Sequence, residues 1–219
     1  MGFQIAIDGP AGAGKSTIAK RVAKQLGFIY VDTGAMYRAM GLFLIREGID
    51  PHDTEKIESK CEEADITIRY ENGEQVVYLN GENVNGLIRT EQVGNMASQT
   101  SSNQKVRTKL VKLQQKLAAD ADVVMDGRDI GTCVLPNAEV KIFLTASSKV
   151  RAKRRYDELM AKGENCDLDV IEQDIIARDH QDMTREISPL VPADDSVLID
   201  SSYMTIEKVT QEIMSRAQA

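Results

Sequence analysis

The 219-residue sequence lacks tryptophan and has no apolar run that approaches the roughly 20 residues needed to cross a bilayer. Its N-terminus leads straight into a candidate strand. We therefore expect neither a membrane anchor nor a signal peptide. The sequence also has no internal repeat and no low-complexity segment.

Cysteine is scarce, and its placement excludes two kinds of site. Cys61, Cys133 and Cys166 are odd in number, scattered, and without CxxC spacing. A disulfide framework needs paired cysteines, and a structural zinc site needs closely spaced ligands. We predict reduced thiols in a cytoplasmic protein, with no cysteine metal site.

Positive charge is also in short supply, since the formal net charge is −7. A general nucleic-acid-binding protein needs a basic surface, so we predict no nucleic-acid partner. Hydrophobic residues make up 42% of the chain, enough to bury a real core. The length suits one domain with elaborations or two small domains.

The most informative stretch runs from Gly9 to Thr17 and fits the phosphate-binding pattern G-x-x-x-x-G-K-[ST]. Glycines let the backbone curl around a polyphosphate, and the helix that follows directs its positive end at the same place. Lys15 is predicted to reach the β- and γ-phosphates, and the Ser16 hydroxyl to bind Mg²⁺. A short apolar strand before the loop and an amphipathic helix after it complete the motif. The sequence therefore predicts a nucleoside triphosphate site.

Short apolar segments then alternate with helical patterns, with strands near Phe28–Val31, Val123–Met125, Lys141–Leu144 and Val197–Asp200. This alternation predicts an α/β fold of the P-loop NTPase type, with a parallel five-stranded sheet covered by helices on both faces. Ligands in such folds bind beyond the carboxyl ends of the strands. We expect the polar clusters at four strand ends to meet in one cleft.

Two segments interrupt this rhythm. Residues 64–86 carry two Asn-Gly turns between alternating runs, which predicts a three-stranded antiparallel meander standing off the main sheet. Scaffolding and ligand contact remain equal alternatives for it. Residues 147–186 are charged and helical, as expected of a lid. We predict one domain over residues 1–219, with a core of 1–58, 99–146 and 190–219, an insertion of about 59–98 and a lid of about 147–189.

Arginine placement gives a second indication of chemistry. Arg38 and Arg128 stand at strand-to-helix mouths, where functional residues concentrate. Arg151, Arg154 and Arg155 share one helix face, as do Arg178, Asp182 and Arg185. The guanidinium fork suits bidentate phosphate recognition. For the groups on helix faces, a solvated surface remains an equal alternative.

The residues indicate no nucleophile or general base, and one reaction type needs neither. A phosphate acceptor has a second pKa of about 6 and is mostly dianionic at neutral pH. The protein has only to align two anions, spread positive charge over the transferring group and exclude water. This combination indicates a nucleoside monophosphate kinase.

At this level of detail the chain resembles the bacterial cytidylate kinases, which phosphorylate CMP and dCMP with ATP. The resemblance rests on five motifs spread over nearly the whole chain: Ile7–Ser16, Asp32–Arg38, Asp126–Gly131, Lys141–Leu144 and Pro189–Pro192. Residues 64–86 match the long monophosphate-binding insertion of these enzymes. The resemblance implies a monomeric enzyme of pyrimidine nucleotide metabolism whose partners are ATP and CMP or dCMP, with Mg²⁺ as cofactor.

The resemblance also implies a role for each site residue. ATP would be held by Gly9, Pro10, Ala11, Gly12, Ala13, Gly14, Lys15, Ser16 and Thr17, with Arg151, Arg154 and Arg155 near its phosphates. The CMP phosphate would be gathered by Thr33, Arg38, Arg128 and Arg185. Arg178 and Asp182 would contact the ribose, while Ser98, Arg107 and Asp129 would face the cytosine and Asp126 would lie in the CMP site. Lys15, Arg128, Asp129, Arg178 and Arg185 are the expected catalytic group.

Three alternatives stay open at this stage. Another small-molecule kinase, such as an adenylate or shikimate kinase, would share the P-loop but not the five motifs. A switch GTPase would carry an N-K-x-D motif, which the sequence lacks. A nucleic-acid-dependent ATPase is disfavoured because basic and aromatic residues are not interleaved.

Overall fold

The computed structural model describes residues 2–218. It contains a five-stranded sheet in the order β2-β6-β1-β7-β8 and a separate three-stranded sheet in the order β3-β4-β5. The strands are β1 (Gln4–Asp8), β2 (Ile29–Asp32), β3 (Ile66–Glu71), β4 (Glu74–Leu79), β5 (Glu82–Asn83), β6 (Val123–Gly127), β7 (Val140–Thr145) and β8 (Val197–Asp200).

In the described range, residues 2–218, eight α-helices are interspersed with these strands. They are α1 (Lys15–Leu26), α2 (Thr33–Arg46), α3 (Thr54–Lys60), α4 (Glu91–Thr100), α5 (Gln104–Ala118), α6 (Ser148–Ala161), α7 (Leu168–Thr184) and α8 (Ile206–Ala217). A short 3₁₀ turn follows α3 at Cys61–Glu63, and a π-helical turn follows β6 at Ile130–Val134.

Most of the helices begin at a side-chain N-cap that is encoded in the sequence. Each helix from α2 to α8 begins after an Asp, Asn, Ser or Thr whose side chain accepts a hydrogen bond from a backbone N–H of the first turn. Helix α1 differs, because it begins at Gly14 with no side-chain cap. The N–H groups of its first turn adjoin the P-loop and receive no side-chain cap, which suits them to bind an anion.

The chain divides into two compact units. One contains residues 2–29 and 122–218, and the other contains residues 30–121. In the first unit β1 pairs in parallel with both β6 and β7, and β7 pairs in parallel with β8. All five residues of β1 are buried, as are all five of β6. Burial on both faces agrees with the apolar runs Ile5–Ile7 of β1 and Val123–Met125 of β6.

The second unit contains the antiparallel sheet and helices α2 to α5. Strand β3 pairs antiparallel with β4 through the Asn72-Gly73 turn, and β4 pairs with β5 through Asn80-Gly81. All four turn residues have positive φ, as hairpin turns of this type require. Helix α2 packs closely against α4 at Gly41, where an added Cβ would lie 3.0 Å from the Ala97 nitrogen.

The fold class predicted from the sequence is confirmed, including the five-stranded parallel sheet and the separate meander. The predicted second strand is displaced by one residue, because the left-handed Gly27 cap is followed by a backbone bond from Phe28 to Ala23. Residues 147–186, predicted to be helical, contain α6 and α7. The predicted domain boundaries stay a prediction. Within residues 2–218 no helix is both long and apolar enough to span a membrane.

Candidate active site

The loop between β1 and α1 has the backbone conformation that its glycines permit. Gly9, Gly12 and Gly14 all have positive φ. At Gly9 a Cβ would lie 1.9 Å from the Leu144 carbonyl oxygen, so no side chain fits. The first glycine of the motif is therefore required by contact with β7. Pro10 and Ala13 are buried, while Gly12, Ser16 and Thr17 are exposed at the open side of the loop.

Lys15 is buried inside this loop, with 7% of its surface exposed. Its Nζ donates a hydrogen bond to the Pro10 carbonyl at 2.8 Å, which folds the side chain back over the loop. Burial lowers the pKa of Lys15 to about 7, and Arg128 acts in the same direction against the opposing carboxylates. An anionic ligand in the loop would favour the charged lysine.

Asp8, the last residue of β1, holds the segment that follows β6. Its two carboxylate oxygens accept hydrogen bonds from the backbone N–H groups of Ile130 and Gly131, each at 2.7 Å. Burial raises the pKa of Asp8 to about 6, although these two hydrogen bonds oppose the rise. Asp8 thereby ties the start of the P-loop to the loop that carries Arg128 and Asp129.

Ser16 and Asp126 form an oxygen-rich pair at the end of the two central strands. The Ser16 hydroxyl donates to the Asp126 carboxylate at 2.9 Å. Asp126 is buried near the end of β6, with 4% exposure, whereas Ser16 is exposed in the first turn of α1. The sequence placed Asp126 among the CMP residues, and the structure places it beside the P-loop.

Asp182 in α7 organises the arginines of the first unit. It accepts a hydrogen bond from Arg128 Nε at 2.7 Å, and its other oxygen lies 3.8 Å from Arg185 Nη1. Arg185 Nη2 in turn lies 4.0 Å from Asp129 Oδ1. Burial acts to raise the pKa of Asp182, but Arg128, Arg185 and Arg178 outweigh it and hold this pKa below its usual range. The structure thus brings four of the predicted catalytic residues, Arg128, Asp129, Arg178 and Arg185, together around Asp182.

The three arginines of α6 occupy different environments, which the sequence could not distinguish. Arg151 is 4% exposed and pairs with the Asp179 carboxylate of α7 through both terminal nitrogens. Its Nε donates to the Ala146 carbonyl at 2.8 Å, and its Nη1 donates to the Ala11 carbonyl at 3.0 Å. Arg151 therefore braces the P-loop through its hydrogen bond to the Ala11 carbonyl.

Arg154 and Arg155 are more open to solvent. Arg154 donates to the Ser201 carbonyl at 2.9 Å and lies 3.5 Å from the Ala13 carbonyl of the P-loop. Arg155 pairs with Glu158 on the same helix at 3.2 Å, and 45% of its side chain is exposed. Arg154 is thus beside the loop, while the contact of Arg155 is a surface ion pair.

In the second unit, Asp32 at the end of β2 pairs with an arginine of α2. Asp32 caps α2 by accepting from the Ala35 N–H at 2.9 Å, and its other oxygen accepts from Arg38 Nη2 at 3.1 Å. Thr33 is buried beside it. A Cβ at Gly34 would lie 3.0 Å from Arg38 Nη1, so the glycine keeps the space beside the guanidinium open. Arg89, which the sequence reasoning missed, places Nη2 3.9 Å from the same Asp32 carboxylate.

Arg107 lies deeper in this unit. It is 3% exposed, its Nη1 donates to the Ser101 carbonyl at 3.2 Å, and its guanidinium lies 5.9 Å from the Tyr37 ring. The Ser101 hydroxyl donates to the Ser98 carbonyl, so Ser98 and Arg107 flank one turn. A buried guanidinium among polar groups is a suitable binding residue for a planar polar ligand.

Comparison with known proteins agrees with this geometry. The family profile described as cytidylate kinase matches residues 5–219. A cytidylate kinase from Caldicellulosiruptor bescii is 53% identical over 212 residues, covering 97% of this chain and 94% of the relative. One from Lactobacillus johnsonii is 50% identical over 211 residues, covering 96% and 92%. The chain belongs to the cytidylate kinase family.

Solved structures support the fold of this cytidylate kinase family member. A shikimate kinase from Bacteroides thetaiotaomicron has a TM-score of 0.52 at 12% identity, with 99% of each chain covered. An uncharacterised protein from Eubacterium ventriosum has a TM-score of 0.55 at 11% identity, also with 99% of each covered. At such low identity these likenesses concern the fold alone.

The residues of the cytidylate kinase fold also fit the metal that the resemblance implies. Mg²⁺ prefers oxygen ligands and is usually held by one or two protein groups together with substrate phosphates. Ser16 and Asp126 offer a hydroxyl and a carboxylate 2.9 Å apart. Across residues 2–218 no cluster of three or more His, Cys, Asp or Glu is arranged to hold a metal by itself.

Four structural carboxylates and amides escaped sequence reasoning: Asp8, Asp32, Gln75 and Asp179. Asp8, Gln75 and Asp179 act through side chains that meet backbone or charge far away in sequence, such as Asp8 with Ile130 and Asp179 with Arg151. For Asp8 and Asp32 the available signal was their position, because Asp8 precedes the P-loop glycines and Asp32 opens the second motif. Gln75 and Asp179 lie in none of the motifs.

Proposed function

We propose that the protein transfers the γ-phosphoryl group of ATP to CMP and dCMP, giving CDP and dCDP. The observation that carries the proposal is the grouping of Lys15 and Asp126 with the Arg128–Asp182–Arg185 cluster in one compact unit. Membership of the cytidylate kinase family supports the choice of acceptor. The reaction is direct and in line, since no residue is assigned as a nucleophile.

Each group has a role in this proposal. The P-loop amides from Gly9 to Thr17 bind the ATP phosphates, and Lys15 follows the charge on the transferring group. Arg128 and Arg185, oriented by Asp182, neutralise the acceptor phosphate together with Arg178. These arginines favour the ionised form of Asp182, because they lower its pKa. No general base is required, because a phosphate acceptor is largely dianionic at neutral pH.

Ser16 and Asp126 would hold Mg²⁺ against the ATP phosphates. The ion supplies neutralisation of phosphate charge when bound. Arg151 and Arg154 keep the P-loop carbonyls turned away from the ligand by hydrogen-bonding to Ala11 and Ala13. Arg155 would join them on closure of α6 and α7, which we propose as the lid that excludes water.

On the acceptor side, Thr33 and Arg38 would bind the CMP phosphate, and Ser98, Arg107 and Asp129 the cytosine ring. Cytosine offers an amino donor beside acceptors, which a carboxylate and a guanidinium complement. Arg178 and Asp182 would meet the ribose. We further propose a cytoplasmic monomer with no nucleic-acid partner, in line with the free Cys61, Cys133 and Cys166 and the acidic net charge.

A substrate panel tests the proposed function. Purified protein with ATP and Mg²⁺ should phosphorylate CMP and dCMP in preference to UMP, AMP, GMP and shikimate. The variant Lys15→Ala should lose about 10²-fold or more in rate with an unchanged melting temperature, which excludes a contaminating kinase. Turnover of AMP or shikimate without turnover of CMP would overturn the proposal.

A further inference from the structure

The three-stranded sheet contacts the phosphate-binding end of β2 through one glutamine. Gln75 in β4 accepts a hydrogen bond from the Asp32 N–H at 2.9 Å and donates one to the Asp32 carbonyl at 3.2 Å. The side-chain amide thus pairs with both backbone groups of one residue, 43 positions away. Because both backbone groups of Asp32 are paired with Gln75, the backbone at Asp32 is held in position as an adjacent strand would hold it.

The carboxylate of Asp32 in turn orients residues that are assigned to the acceptor site. Its Oδ1 caps α2 at Ala35, and its Oδ2 holds the Arg38 guanidinium. A carboxylate held through its own backbone can orient both groups only while that backbone stays in place. Among residues 2–218 the buried Arg38 Nε has no hydrogen-bond partner, so the direction of the guanidinium depends largely on Asp32. A displaced Asp32 would therefore carry Thr33 and Arg38 away with it.

Gln75 is itself held in register by the sheet. Asn85 donates from Nδ2 to the Gln75 carbonyl at 3.2 Å and accepts from the Val77 N–H at 2.9 Å. Tyr70, the cross-strand partner of Gln75, donates from its hydroxyl to the Tyr30 carbonyl at 3.1 Å. Tyr70 and Gln75 therefore contact Tyr30 and Asp32 of β2, respectively. Of these two contacts, the one made by Gln75 involves the residue that caps α2.

We propose that Gln75 is a positioning residue for the CMP phosphate, acting through Asp32 on Arg38 and Thr33. This inference rests on the proposed function, since it assigns the acceptor phosphate to those residues. It also gives the 64–86 insertion a role in substrate binding without direct contact between Gln75 and the substrate.

The test compares Gln75→Leu, which keeps the side-chain size but removes both hydrogen bonds, with the matched control Tyr70→Phe. The control breaks the hydrogen bond from Tyr70 to the Tyr30 carbonyl of β2. In Gln75→Leu the KM for CMP should rise roughly 5- to 20-fold, the cost of about one lost oriented contact. The KM for ATP should stay within about 2-fold of wild type, and Tyr70→Phe should leave both values near wild type.

Inhibition by cytidine, which lacks the phosphate, separates positioning from general loosening of the sheet. Its inhibition constant should change less than 2-fold in Gln75→Leu if the defect concerns the phosphate. If Gln75→Leu does not fold, Gln75→Asn breaks the same pairing with a polar side chain one methylene shorter. Equal rises for CMP and cytidine, or equal effects of both variants, would overturn the inference. Absence of CMP turnover in the wild type would instead overturn the proposed function.

Discussion

At the scale of single residues, the site depends on charged side chains that are buried before any ligand arrives. Asp8, Lys15 and Asp182 are each less than 10% exposed. Burial shifts the pKa of Asp8 upward and that of Lys15 downward, whereas the arginines around Asp182 more than compensate for its burial. Buried charges of this kind favour function at some cost in stability.

We predict that Asp8 lowers the free energy of unfolding as pH rises, which is opposite to the effect of a carboxylate whose pKa is lowered by folding. Its pKa of about 6 in the folded state exceeds the ordinary 3.8, so the folded protein binds more protons between these values. Stability from this group is therefore greatest at low pH and falls as pH rises through about 6. From pH 5 to pH 7 the wild type should lose roughly 1 kcal/mol relative to Asp8→Asn. Denaturant unfolding of both proteins at the two pH values measures this difference, and a constant gap would contradict the prediction.

Asp129 tests how the base is recognised. As a carboxylate it can accept a hydrogen bond from the cytosine amino group, whereas UMP would present a carbonyl oxygen to it. An unsatisfied buried polar group costs about 1–3 kcal/mol, or roughly a 5- to 150-fold preference for CMP. Asp129→Ala should therefore reduce kcat/KM for CMP strongly and for UMP much less. Equal losses would mean that Asp129 serves Arg185, 4.0 Å away, and does not read the base.

At the scale of elements, helices α6 and α7 are joined to the P-loop by one buried side chain. Arg151 carries hydrogen bonds to the loop, to the end of β7 and to α7 at once. Helical spacing could place Arg151, Arg154 and Arg155 on one face, but it could not rank them. The distinction arises from contacts with residues up to 141 positions away.

Replacing Arg151 by leucine should therefore destabilise the protein by about 1–3 kcal/mol, because the partly buried Asp179 would lose its partner. The double variant Arg151→Leu with Asp179→Leu should recover part of that loss. Arg155→Ala, the surface control on the same helix, should change stability by less than about 0.5 kcal/mol. Chemical denaturation of the four proteins compares these values. Similar losses for Arg151→Leu and Arg155→Ala would refute the bracing role.

Much at this scale could be predicted from the sequence. The predicted strand before the P-loop and the predicted helix after it are observed as β1 and α1, and two Asn-Gly pairs located the turns of the meander. Periodicity and turn chemistry are local properties, so they determine elements well. The pairing of Gln75 with Asp32 and of Asp8 with Ile130 could not be predicted, because side-chain hydrogen bonds to distant backbone leave no periodic pattern.

At the scale of the whole molecule, every residue assigned to the ATP and CMP sites comes from one chain. A second copy is therefore not needed to complete the chemistry. We predict a mass close to 24.2 kDa by light scattering over a hundredfold range of concentration, with or without ATP and CMP. A concentration-dependent doubling of the mass would contradict this prediction. Activity per chain that rises with concentration would do so independently.

The approach of Gly9 to the end of β7 has a practical consequence for laboratory evolution. Every amino acid other than glycine would place a carbon 1.9 Å from the Leu144 oxygen, so selection at this codon acts on folding before it acts on catalysis. A library designed to change acceptor preference gains nothing by randomising codon 9. Its diversity is better placed at the codon for Arg89, whose side chain is 67% exposed.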